Sequence, residues 1–211
     1  LMGTAGAGFA LALLGACGRQ ATWHSTDISG SFPDLAFTMT RASDGKSVTA
    51  ADYRGQVVML YFGYTFCPDI CPTTLANVAD MLSGLGDTDR HVRFLFVTVD
   101  PNRDSANLLA DYVKNFGPEV EGLRGTPDQL AALARRYRVV YSVTPASAGR
   151  PYEVTHSSAI YVFDASGAAR LVATSLSSAN PDKAGVGADL KRLVAQAANP
   201  PGLLDRLLQL V

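Results

Sequence analysis

The chain has 211 residues, of which 47% are hydrophobic and 18% charged, and its formal net charge is -1. That composition suits one well-cored domain with additions rather than two full domains. It excludes a nucleic-acid binder built on clustered positive charge, and no apolar run reaches the ~20 residues of a membrane-spanning helix.

In chain order, residues 1–16 are apolar or small, with a compact stretch Ala10-Leu11-Ala12-Leu13-Leu14. This stretch is too short to span a bilayer and reads as the core of an export signal. It ends in Leu14-Gly15-Ala16-Cys17, the pattern of a bacterial lipobox, in which the cysteine becomes the lipidated first residue of the mature protein. A plain export signal with an incidental Cys17 is the alternative. Residues 17–30 read as a polar linker, 31–198 as the main domain and 199–211 as a helical tail. In that tail Leu203, Leu204, Leu207, Leu208 and Val211 recur at helical spacing.

Ala36 to Thr49 alternates around Asp44-Gly45, a two-residue hairpin signal. Val57 to Phe62 and Phe94 to Val99 are β-branched and aromatic runs of the kind buried on both sheet faces. Those two strands are expected to be neighbours. Leu75, Val78, Ala79, Leu82 and Leu85 predict a helix ending at Gly84 and Gly86. Leu108, Leu109, Tyr112, Val113 and Phe116 predict a second, stopped by Gly117-Pro118. Thr126-Pro127-Asp128-Gln129 carries the marks of a third helix start: an N-cap, a first-turn proline and a capping box. Ser142 to Pro151 reads as a surface loop. Ala159 to Phe163 and Ala169 to Ala173 read as a hairpin around Asp164 to Gly167, and a helix with Leu190, Leu193 and Val194 follows. This order of elements predicts an α/β domain with a mixed sheet covered on both faces.

Chemistry concentrates at the end of the first buried strand, in Tyr61-Phe62-Gly63-Tyr64-Thr65-Phe66-Cys67-Pro68-Asp69-Ile70-Cys71-Pro72. A cysteine where a strand meets a helix start is expected to have its thiolate stabilised by unpaired N–H groups. Cysteines four apart on a helix lie about 6 Å apart along its axis, within reach of a disulfide or of one soft metal ion. If Cys17 carries lipid, Cys67 and Cys71 are the remaining pair, and export places them in an oxidising compartment. They then form a structural disulfide or a working dithiol, and their place at the junction with Pro68 and Pro72 favours the working one. Further metal ligands must come from three histidines. His24 falls in the linker and His91 opens the second buried strand, both as solvated residues. His156, in a loop before the strand at Ala159, is the candidate ligand. Asp69 reads as a helix-start carboxylate.

The run YFGYTFCPDICPTTL, the later VTVDPNRD (Val97 to Asp104) and VTHSSAIYVFD (Val154 to Asp164) together resemble the Sco/SenC family. The resemblance covers about residues 31 to 198. It implies a thioredoxin-like mixed central sheet flanked by helices, here with an added N-terminal β-hairpin. It also implies a membrane-tethered copper protein that helps assemble the copper A centre of cytochrome c oxidase. Carried over residue by residue, the copper ligands are Cys67, Cys71 and His156. Asp100 falls in the family's Asp-Pro motif but reads equally well as a turn residue before Pro101, and it is left out of the ligand set. Two thiolates and an imidazole suit Cu(I), whereas a structural zinc site wants a fourth ligand.

Two readings from different classes stay open. One is a metallochaperone that delivers Cu(I) or Cu(II) without turnover to the copper A-bearing subunit of cytochrome c oxidase. Its further partners would be another copper chaperone or a thiol reductase, and its place the outer side of a membrane, held by the lipid on Cys17. The other is a thiol–disulfide oxidoreductase acting on the receiving protein's cysteines through a redox-active Cys67–Cys71 pair. Against it, the chain lacks Trp-Cys-x-x-Cys, and no proline directly precedes the strand at Ala159. A peroxiredoxin-like peroxidase fits less well, because Thr65-Phe66-Cys67 lacks that family's Thr-to-Cys spacing.

Overall fold

In the computed structural model, residues 22–198 are described. Strands β1 (Thr26–Asp27), β2 (Thr38–Arg41) and β3 (Ser47–Thr49) precede the central strand β4 (Val57–Gly63), every residue of which is buried. Helix α1 (Ile70–Ser83), β5 (Val92–Thr98), α2 (Ala106–Lys114), β6 (Val120–Arg124) and α3 (Pro127–Arg136) follow. The described residues continue through β7 (Tyr141–Thr144), β8 (Glu153–His156), β9 (Ile160–Phe163), β10 (Ala169–Ala173) and α4 (Lys183–Ala198).

Eight strands form one sheet in the order β1-β10-β9-β4-β5-β6-β2-β3. The expected adjacency holds: β4 pairs in parallel with β5, from Val57↔Val92 to Gly63↔Thr98. β6 extends the parallel part, while β9, β10 and the β2–β3 hairpin are antiparallel. This is the mixed thioredoxin-like sheet with an added hairpin at its edge. The two faces can be told apart by register. Tyr61 and Phe96 are paired across β4 and β5, and Phe96 meets Tyr112 of α2. Leu60 pairs with Tyr161 on the opposite face, where the Tyr137 ring after α3 meets Tyr161 at a tilt and Phe163 edge-on. Helices therefore cover both faces.

Several local expectations change. The β2–β3 connection is not a two-residue turn: Arg41 N–H donates to the Lys46 carbonyl at 2.9 Å, leaving a longer loop that contains Gly45 at φ 69°. β6 is absent from the sequence reading, because VEGLR has no hydrophobic run. It forms because Gly122 leaves room for Leu109 of α2, whose side chain would lie 2.7 Å from a Cβ there. Part of the segment read as a surface loop is strand β7, paired with β8 from Tyr141↔His156 to Thr144↔Glu153 in a separate two-stranded arm. Within the polar segment before residue 31, β1 pairs with β10, and the buried Asp189 accepts the backbone N–H groups of His24 and Ser25 at 3.1 and 2.8 Å. The expected export signal at 1–16, Cys17 and the expected helical tail at 199–211 lie outside the described residues.

Candidate metal centre

Cys67 and Cys71 do not share a helix. The chain leaves β4 at Gly63, turns so that Cys67 N–H donates to the Tyr64 carbonyl at 3.3 Å, and enters α1 only at Ile70. Asp69 occupies the N-cap position without a side-chain capping bond. Cys71 is therefore one residue inside the helix, and Pro72 lies in its first turn, where a missing N–H costs nothing. Cys67 remains in the preceding turn, and its Sγ accepts the Cys71 N–H at 3.5 Å. Both thiols are free and buried.

His156 is the last residue of β8 rather than a loop residue. Its Nε2 lies 3.3 Å from Cys71 Sγ, and its Nδ1 lies 3.1 Å from the Ser157 carbonyl. A carbonyl only accepts, so the Nδ1 proton points to Ser157 and the Nε2 lone pair points to the cysteines. That is the arrangement by which a backbone acceptor orients a metal-ligating imidazole. The rings of Tyr61 and Tyr64 meet His156 edge-on, with centroids 5.9 and 5.7 Å away. One donor atom each from Cys67, Cys71 and His156 lies within 4.8 Å of the others. Three soft or borderline donors on one point can hold a single metal ion.

Burial decides the electrostatics. It pushes the Cys71 thiol up to about 12, overriding a lowering hydrogen bond with the Tyr64 backbone, and Cys67 adds to the rise. This corrects the expectation of a thiolate favoured by the helix start, as far as Cys71 is concerned. The sulfur is enclosed by the core rather than held at the open helix end. The His156 pKa is lowered, also by burial, which keeps the imidazole in its ligand form. Gly63 shapes the pocket floor: a Cβ there would lie 2.7 Å from Phe96 and 2.9 Å from Cys71 Sγ.

The other sequence candidates stand apart from these donors. His24 and His91 are exposed, and His24 faces Asp182. Asp100 is buried but engaged by Arg103 and by Tyr152 Oη at 2.9 Å. Sequence reasoning missed Asp104, which is fully buried and receives bonds from Thr65 N–H at 3.0 Å and from the hydroxyls of Thr65 and Thr98 at 2.6 and 2.5 Å. The only signal for it was its place in VTVDPNRD.

The profile of the SCO1/SenC family matches residues 30–195. The chain belongs to the SCO1/SenC family. Among relatives of this SCO1/SenC chain, the mitochondrial SCO2 homologue of Bos taurus is 43% identical over 125 residues, 58% of this chain and 47% of that protein. The mitochondrial SCO2 homologue of Mus musculus is 37% identical over 168 residues, 77% of this chain and 66% of that protein. The chain thus spans about half to two thirds of the length of these relatives. Among solved structures, copper-bound ScoI of Bradyrhizobium japonicum superposes with a TM-score of 0.66 at 34% identity. That match covers 76% of this chain and 98% of the other. Among the described residues, no helix is long and apolar enough to cross a membrane.

Proposed function

We propose that this protein is a metallochaperone that binds copper through Cys67, Cys71 and His156 and passes it to the copper A-bearing subunit of cytochrome c oxidase. The observation that carries the reading is the convergence of two thiols and one imidazole lone pair within 4.8 Å. Copper-bound relatives and the family's role in oxidase assembly support the choice of metal and recipient. A three-donor set suits Cu(I) and leaves the ion open to an incoming ligand, so transfer proceeds by ligand exchange without electron transfer. The lipobox at Cys17 supports an exported protein held on the outer side of a membrane by lipid. Intact mass of the membrane-extracted protein tests this, since a retained 1–16 segment would contradict it.

The second reading is a thiol–disulfide oxidoreductase, and the two free neighbouring thiols favour it. Against it, the chain lacks Trp-Cys-x-x-Cys, and Ser158 rather than a proline precedes Ala159. The deciding experiment mixes the copper-loaded protein with the metal-free recipient domain, beside an insulin reduction assay of the copper-free dithiol. Stoichiometric copper transfer with no insulin reduction is expected. Disulfide reduction with no movement of copper would overturn the chaperone reading.

A further inference from the structure

The arm that carries His156 is not part of the main sheet. β7 and β8 pair only with each other, and a lone two-stranded hairpin is marginal in water. Val154 sits in the hydrophobic core, and Tyr141, Val143 and Tyr152 pack half-buried against it; polar contacts then set the arm's position over the cysteines. Tyr64 Oη donates to the Val154 carbonyl at 3.3 Å, a single bond from the cysteine turn to the arm. A second polar connection is made by Arg103, in the turn after β5.

The Arg103 guanidinium lies 3.9 Å from the ring centroid of Tyr152, four residues before His156, and 5.0 Å from that of Phe66, the neighbour of Cys67. The Tyr64 ring lies 5.7 Å away. The guanidinium is held by Asp100, whose side chain is 1% exposed. Tyr152 Oη donates to the other oxygen of the same carboxylate at 2.9 Å. One planar cation thus joins the cysteine turn, the Asp100 turn and the arm. A planar cation between aromatic faces fixes ring position in a way a point charge does not.

We propose that Arg103 is a positioning residue that clasps the β7–β8 arm to the cysteine turn and so holds His156 Nε2 at the metal position before metal arrives. The proposal rests on the reading of Cys67, Cys71 and His156 as a copper site. It makes the third ligand preorganised, and it makes Cu(II), which wants the imidazole, more dependent on Arg103 than Cu(I).

The test uses Arg103→Gln, with Tyr152→Leu to open the clasp from the arm side should the first variant fold poorly. Amide hydrogen exchange in β7 and β8 of the metal-free protein is expected to quicken, with the main sheet unchanged. Cu(II) affinity is expected to fall about tenfold, the scale of a lost desolvated cation–aromatic contact, and Cu(I) affinity to stay within about threefold. Because Arg103 acts through His156, the Arg103→Gln/His156→Ala double variant should bind Cu(II) no more weakly than His156→Ala alone. Additive losses, or wild-type exchange in the arm of a folded variant, would overturn the clasp. If His156→Ala binds Cu(II) as the wild type does, the copper site itself is wrong and the proposal falls with it; the metal-free exchange result separates that failure from a failure of the clasp.

Discussion

With its Nδ1 proton directed at Ser157, His156 presents a neutral lone pair to Cys71 Sγ at 3.3 Å. Replacing it with Ala should weaken Cu(II) much more than Cu(I), because two thiolates still hold Cu(I) in a linear geometry. Cys67→Ser or Cys71→Ser should weaken both states severely. Titration of each variant, with circular dichroism as a folding control, reads both outcomes. A Cys71 thiol held near 12 is protonated at neutral pH, so binding must expel that proton and affinity should rise with pH. Calorimetry in buffers of different ionisation enthalpy should show at least one proton released per copper, and none would contradict a Cys71–copper bond. Gly63→Ala would put a Cβ 2.9 Å from Cys71 Sγ. It should cost about 1–3 kcal/mol by overpacking, read as a lower denaturant midpoint, and should also weaken copper binding. That Cys67, Cys71 and His156 belong together was legible from residue type, position and the family resemblance, and their side chains do converge. The direction of the Cys71 shift was not, because it comes from the core closing over the sulfur.

At the level of elements, local signals were read well where the chain carries them. The Thr126 capping box is formed: its N–H donates to Gln129 Oε1 at 2.8 Å, and its Oγ1 accepts the Gln129 N–H at 3.2 Å. Thr126→Ala should therefore lower stability by about 1 kcal/mol, measured by denaturant unfolding, with copper binding unchanged. The other end of the same helix gave no signal. Arg138 takes the left-handed conformation at φ 55°, and the Val139 and Arg138 N–H groups return to the carbonyls of Ala134 and Arg135. This is the usual glycine-capped ending built without a glycine, and Arg138 stacks on Phe32 at 5.0 Å instead. The onset of α1 was read too early because Cys67-Pro68-Asp69 looks like a first turn. The tight turn at Tyr64 delays the helix to Ile70. β7 was hidden because YSVT offers only two apolar residues, Tyr141 and Val143, which pack half-buried against the core while Ser142 and Thr144 are exposed.

Over the whole molecule, the candidate site joins parts that the sheet leaves separate: the cysteine turn, the first turn of α1 and the β7–β8 arm. A metal bound across them ties the arm to the core and binds only the folded chain strongly. At a free copper concentration a hundredfold above Kd, stabilisation should be about 2.7 kcal/mol, a shift of several degrees in Tm. Differential scanning calorimetry with and without Cu(I) should show that rise in the wild type and lose it in Cys71→Ser. The sheet order around β4 and β5 was legible from their two-faced hydrophobicity. The separate arm was not, because its position depends on long-range side-chain contacts such as Tyr152 with Asp100. The most direct measurement is copper K-edge X-ray absorption of the Cu(I)-loaded protein. Two sulfur scatterers at about 2.3 Å, an ordinary metal–thiolate distance, and one imidazole nitrogen, lost in His156→Ala, are expected. Copper held by no sulfur, or a spectrum that His156→Ala leaves unchanged, would contradict the Cys67–Cys71–His156 site.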